Sequence, residues 1–273
     1  TFAIMFNQRM NPLYQKMREI VRGGKYGELK RVNWIITDWF RTQQYYNSGG
    51  WRATWSGEGG GVLLNQCPHQ LDLWQWICGM PSSVRAVCRE GQWHDIEVED
   101  DVMIYAEYAN GASGVFITTT GDCPGTNRLE ITLQRAKLVC EGGKLLMTEL
   151  PMNTDEFIRT AENGFSKMED TTKEVECPGE NTQHTGICNA FASHILHGTP
   201  LGAMGEEGIN GLSISNAAFL SSWTGKTVTL CEGSDPMKVH EDEFLALLQE
   251  KIAHSRKKDA PANASVADLS GTY

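Results

Sequence analysis

Apolar and polar positions along the first forty residues fall into three patterns. Thr1 to Phe6 is a nearly continuous apolar run and predicts a buried strand. Asn11 and Pro12 suit the N-cap and first position of a helix. Leu13, Met17, Ile20 and Val21 then recur at helical spacing as far as Gly23 and Gly24. From Lys30 to Phe40 the pattern switches to alternation, with Val32, Trp34 and Ile36 on one face of a strand.

Between Arg41 and Gly61 periodicity disappears. This stretch holds six glycines together with Tyr45, Tyr46, Trp51, Arg52 and Trp55, and a long loop rich in aromatics reads as functional rather than disordered. Val62 to Cys78 predicts an amphipathic helix closed by Gly79 and Pro81. Segments 83–90, 101–109, 113–120, 128–134, 137–141 and 144–149 are short, alternating and β-branched, joined by turns such as Ala109-Asn110-Gly111. An excursion over 150–182 carries a possible edge strand at 172–177. Helices follow at Thr185–Leu196, Gly205–Thr224 and Glu241–His254, with a short strand at Thr227–Leu230, and Asp259–Tyr273 reads as an extended arm. The sum is an α+β fold, an open, mainly antiparallel sheet with helices on one face.

Composition narrows the function classes. A net charge of −10 without a compensating basic block disfavours nucleic-acid and membrane-surface roles. The eight cysteines form no CxxC pair and read as mostly buried free thiols of a cytoplasmic protein. No run is long enough for a membrane span. Gly57-Glu58-Gly59-Gly60-Gly61-Val62 misses the dinucleotide-binding spacing, since Val62 stands where the last glycine is required.

The strongest chemical signal is Gly59-Gly60-Gly61 followed by Asn65, His69 and Asp72, which stand four and three residues apart and would share a helix face. Pro68 requires that a helix begin near Cys67 or be in its first turn there. His69 then lies near a helix N-terminus, where the dipole disfavours imidazolium and leaves the neutral ring that a general base needs. By pattern alone, a histidine beside leucines is more often a packed structural residue.

Trp51-Arg52, the three glycines and Asn65…His69…Asp72 together resemble the Gfo/Idh/MocA oxidoreductase family. The resemblance continues at Phe6-Asn7-Gln8-Arg9-Met10-Asn11-Pro12, and again at Gly205-Glu206-Glu207-Gly208, Leu212, Asn216-Ala217-Ala218 and Ser221-Ser222-Trp223-Thr224-Gly225-Lys226. It implies a dihydrodipicolinate-reductase-like domain over 11–258, with residues 1–10 crossing from a Rossmann domain that is missing from the chain. It further implies NAD or NADP, bound mainly by that missing domain, and hydride transfer at a carbinol carbon of a sugar, glycoside or polyol. His69 and Asn65 fall at catalytic positions, with His69 as acid/base. Tyr45, Tyr46, Trp51 and His184 are candidates for substrate, and Arg9 and Arg52 for cofactor. A homodimer or homotetramer through the sheet face is implied too, and the chain alone is expected to be inactive.

One departure bears on mechanism. The position that often carries an aspartate in the family is Asn65 here, which can orient a hydroxyl or an imidazole but cannot accept a proton. Retained-NAD lyase or glycosidase chemistry and non-enzymatic sugar binding therefore stay open. A metal-dependent enzyme using Cys67, His69, Asp72, His184 and Cys188 is a further alternative, although their spacing fits no standard metal motif.

Overall fold

The protein is described by a computed structural model over residues 1–256; the arm expected at 259–273 lies outside the described residues. Its frame is a nine-stranded sheet in the order β8-β7-β6-β5-β1-β4-β3-β2-β9. The strands are β1 (Leu29–Ile36), β2 (Ser83–Glu90), β3 (Glu99–Glu107), β4 (Ser113–Thr119), β5 (Asn127–Leu133), β6 (Ala136–Glu141), β7 (Lys144–Glu149), β8 (Thr171–Glu174) and β9 (Val228–Thr229). Neighbours pair antiparallel except β1 and β4, which run parallel.

Alternation along the strands gives the sheet two unlike faces. Trp34 pairs with Phe116 on one side and Leu129 on the other, and Phe116 with Ile104, so one cross-strand row is wholly apolar and buried. Helices α1 (Pro12–Arg22), α4 (Pro68–Cys78) and α7 (Gly208–Thr224) belong to this buried layer. Trp74 of α4 stacks on Phe116 at 5.4 Å, and Trp34 meets the same ring edge-on at 5.9 Å, geometries that add to the gain from burying large aromatics. The opposite face carries exposed apolar side chains at Ile35, Val87, Met103 and Tyr105.

Local chemistry sets the helix ends. Asn11 accepts from the Leu13 amide at 3.0 Å and Pro12 opens α1, as the sequence predicts. The expected helix over 62–78 is two helices, α3 (Val62–Asn65) and α4, with Pro68 at the first position of the second. Proline has no amide to give a carbonyl one turn back and its ring crowds that carbonyl. The chain accordingly widens into a π-type turn at Cys67, whose amide reaches Val62 O at 2.9 Å, and restarts with Cys67 O accepting from Gln70 and Leu71.

Three further expectations change. The opening apolar run is not a strand: Ala3 makes one bridge to Met204, and Phe2 and Met5 are exposed. No described neighbouring strand lies beside it to extend the pairing. The strand expected to reach Phe40 stops at Ile36; at Thr37 the amide still donates to Thr126 O at 2.7 Å, but the Thr126 amide is taken by the Thr37 hydroxyl instead of a backbone carbonyl. All eight cysteines are free, but only Cys67 and Cys78 are buried, and Cys123 and Cys188 are exposed. The remaining helices are α2 (Gln43–Asn47), α5 (Thr154–Thr160), α6 (Gln183–His197) and α8 (Glu241–Ala253).

Candidate active site

The site is built around the first turn of α4. His69 is its second residue, half-buried, with Nδ1 buried and without a partner. Nε2 is thereby the nitrogen turned outward. Burial holds the imidazole below its ordinary pKa, the charge of Asp72 opposes that, and His184 reinforces it. The helix N-terminus acts in the same sense, so the ring is neutral at neutral pH.

Asp72, one turn on, does not contact the imidazole as a helper base. It takes a bidentate contact from Arg9, with Nε at 2.8 Å and Nη2 at 2.6 Å, and a third hydrogen bond from Gln75. Arg9 also reaches Glu207 at 2.6 Å through Nη1, and its guanidinium lies over the rings of Phe6 and Trp76. Burial works against the Arg9 charge, but the two carboxylates outweigh it and raise its pKa. Sequence reasoning assigned Arg9 to a cofactor. The guanidinium is 1% exposed and engaged on three sides, so its observed work is to fasten residues 6–9 to α4.

Asn65, expected on the face of His69, belongs to the preceding helix and to a different network. Its Oδ1 accepts from Tyr45 Oη at 3.1 Å and from Gln66 at 2.8 Å, while its amide donates to Glu58. Arg52 donates to Tyr45 Oη at 2.6 Å, with its guanidinium over the rings of Tyr45 and Trp51. Tyr45, Trp51, Arg52 and Asn65 thus form one connected cluster, with Trp51 half exposed at its rim. Tyr46 packs edge-on against Tyr45 at 5.1 Å but from the buried side: the side chain is 3% exposed and its hydroxyl pairs with Thr120. His184 stands exposed at the start of α6, and its charge is the smallest of the influences on the His69 pKa.

One buried group was missed by the sequence reading. Glu99, fully buried on β3, accepts from the amides of Gly61 at 2.8 Å and Leu63 at 2.9 Å. Burial pushes its pKa to about 8 against the pull of those amides. The last glycine of the triplet is explained at the same place, since a Cβ on Gly61 would stand 2.0 Å from the backbone O of Glu99. The close approach is to β3. An alternating strand pattern gives no sign that one of its members is a buried carboxylate.

Among the described residues no group of three or more His, Cys, Asp or Glu is placed to share a metal ion, and no helix is long and apolar enough to cross a membrane.

Residues 14–139 match the GFO/IDH/MocA C-terminal domain. Comparison with curated proteins gives no match. Among solved structures, the WlbA dehydrogenase of Chromobacterium violaceum, in complex with NADH and UDP-GlcNAcA, is 25% identical with a TM-score of 0.67. The alignment covers 85% of this chain and 63% of that one. The WlbA dehydrogenase of Bordetella pertussis shares the fold at 23% identity and a TM-score of 0.65, again over 85% of this chain and 63% of its own. Levoglucosan dehydrogenase in complex with NADH and levoglucosan shares it at 19% identity and a TM-score of 0.66, over 84% and 66%. This chain therefore spans under two thirds of the length of the WlbA enzymes. Fold, motifs and matched domain agree: residues 14–139 are similar to the C-terminal domain of the GFO/IDH/MocA family, and the fold is shared with dehydrogenases of known structure.

Proposed function

We propose that the chain is the substrate-binding and proton-transfer part of an NAD(P)-dependent oxidoreductase acting on a secondary hydroxyl or keto carbon of a sugar, glycoside or polyol. The observation that carries this reading is His69: a neutral imidazole at a helix start, its inner nitrogen buried and its outer one open. The fold supports it, being shared with dehydrogenases solved with NADH and a sugar derivative.

The donor set fits a nicotinamide partner. An imidazole that can take a hydroxyl proton needs a separate hydride acceptor, and the bound nicotinamide would supply it. No dinucleotide-binding glycine pattern lies within the chain, so the cofactor is assigned mainly to a domain outside it. Of the two arginines assigned to cofactor from sequence, Arg52 at the aromatic rim remains the candidate for the nicotinamide or its phosphates. His69 accepts the substrate hydroxyl proton through Nε2 during oxidation and returns it during reduction. Trp51, half exposed, offers its ring to a sugar, while Tyr45, its ring under Arg41 and Arg52, is held by Asn65 through its hydroxyl as a polar wall of the same site. The Arg9–Asp72 pair holds α4 so that His69 keeps its place. Eight free thiols favour a reducing compartment, the cytoplasm.

The test is to follow NADH fluorescence while titrating the nucleotide into the complete gene product, with this 273-residue chain as control. Turnover of a sugar and polyol panel is then compared for wild type and His69→Ala. Nucleotide binding by the complete product, with turnover lost in His69→Ala, is the expected result. If neither form binds nicotinamide, the oxidoreductase reading fails.

A further inference from the structure

Two segments bear on His69, and the next residue of each binds the other. Phe6 meets the His69 ring edge-on, with centroids 6.2 Å apart, and its chain neighbour is Asn7. His184 is close enough to His69 to act on its charge, and its chain neighbour is Gln183. Asn7 Nδ2 donates to Gln183 Oε1 at 2.7 Å. A pair of side-chain amides, from segments 176 residues apart, thereby ties together the two segments that bear on the imidazole.

Two features separate this pair from an ordinary packing contact. Asn7 is 4% exposed, yet its Oδ1 has no hydrogen-bond partner, and buried acceptors are rarely left so. Gln183 is not a glycine, yet it holds φ at +49° at the entry to α6, a left-handed conformation that most residues avoid and that gathers at ligand sites. Orphaned acceptor and strained backbone thus sit on the two partners of a single hydrogen bond. The exchangeable parts of the pair are complementary: Asn7 Oδ1 can accept, and the amide hydrogens of half-buried Gln183 can donate.

We infer that Asn7 and Gln183 form a hydroxyl-recognition subsite beside His69, binding a substrate hydroxyl adjacent to the carbon whose own hydroxyl faces the imidazole. The ligand class is a vicinal diol, as in a sugar ring or a cyclic polyol. One neighbouring hydroxyl donates to Asn7 Oδ1 and accepts from Gln183 Nε2, which fixes the ring's rotation over His69. The inference rests on the substrate class proposed above and adds which hydroxyl the site reads. Charge plays no part in it, so the subsite is indifferent to pH between the titrations of its neighbours.

The experiment uses the complete gene product labelled with 15N, read by its side-chain amide resonances and by turnover. myo-Inositol, D-glucose and the 2-deoxy and 3-deoxy analogues of D-glucose are the probes. Binding of a parent sugar is expected to shift the Asn7 and Gln183 amide signals, and one deoxy analogue to leave them unmoved. In turnover, that analogue should lose roughly tenfold to a hundredfold in kcat/KM with wild type, the size of one or two hydrogen bonds. Gln183→Met and Asn7→Leu should impose that loss on the parent sugar and add nothing for the deoxy analogue. Gln183→Met alters a half-buried position, so it reports even where Asn7→Leu fails to fold. Equal losses on every sugar, or sugar binding without movement of either amide signal, overturns the subsite. If the amide signals move but nothing is oxidised with NAD or NADP, the subsite stands and the oxidoreductase reading falls. If no probe binds, both fall.

Discussion

At the scale of single residues, the protonation of His69 decides what the site can do. Its pKa lies below the ordinary 6.5 because burial disfavours imidazolium, so the ring stays a competent base into mildly acidic solution. The acidic limb of kcat/KM in the complete enzyme is therefore expected below pH 6.5, and His69→Ala should remove the limb along with roughly a hundredfold to ten-thousandfold of rate. A pH–rate profile checks both, and a limb above pH 6.5 would count against His69. Stability follows the same residue. Below pH 6.5 the unfolded chain takes up a proton that folded His69 resists, so stability is full above that pH and declines as pH falls through it. Asn65 poses a different question. Its Oδ1 already receives two hydrogen bonds and its amide donates to Glu58, so Asn65→Asp would set a second carboxylate against Glu58. That variant is expected to be less active than wild type, because the amide's donor role is lost. A gain in rate on the same substrate would show that an acid at this position is what the site lacks.

At the scale of elements, most of the strands and helices were legible because their patterns are local. Alternation located β2 to β7 within two residues at nearly every end, and the Asn11-Pro12 signal placed the start of α1. What escaped depended on partners remote in sequence. The apolar run at Thr1–Phe6 looks like a strand, but strandhood needs a neighbour, and only Ala3 finds one. The parallel pairing of β1 with β4 is likewise invisible in either strand alone. His69 was legible through Pro68, which announces a helix start; the separation of Asn65 from it was not, since helical spacing assumes an unbroken helix. Glu99 was missed, and the buried ion pairs of Arg9 were not foreseen, because a charge's meaning depends on its burial. Glu99 supplies a test of this level. With its pKa near 8 in the folded protein and near 4.5 unfolded, the folded state holds an extra proton between those values. Stability should thus fall as pH rises from about 4.5 to 8. Glu99→Gln is expected to flatten that slope in denaturant titrations at pH 5 and pH 8, and an unchanged slope would assign it to another group.

At the scale of the whole molecule, among the described residues one face of the sheet is covered by helices and the other carries exposed apolar side chains. Register makes the bare face continuous: Val87 pairs with Met103, Met103 with Ile117, and Ile117 with Ile35, so one apolar row crosses four adjacent strands. Val87, Met103 and Ile35 on that row are 54%, 53% and 38% exposed, and Tyr105 beside it is 45% exposed. A contiguous apolar patch of this kind is uncommon on monomers and marks an association surface. A sheet face that is its own complement suits a two-fold interface, where the same residues meet from both sides. This is the basis for proposing a homodimer or a homotetramer. Charge should defeat such an interface while leaving the helix-covered core intact, because residues of the row point away from it. Met103→Glu places a carboxylate in the middle of the row and, through the two-fold, opposes it to a second one at close range. Light scattering coupled to size exclusion should then report a dimer or tetramer for wild type and a smaller species for Met103→Glu, with far-UV circular dichroism unchanged. A wild type that elutes as a monomer at micromolar concentration would refute the sheet-face assembly. A Met103→Glu protein that keeps its oligomeric state would move the interface to another surface.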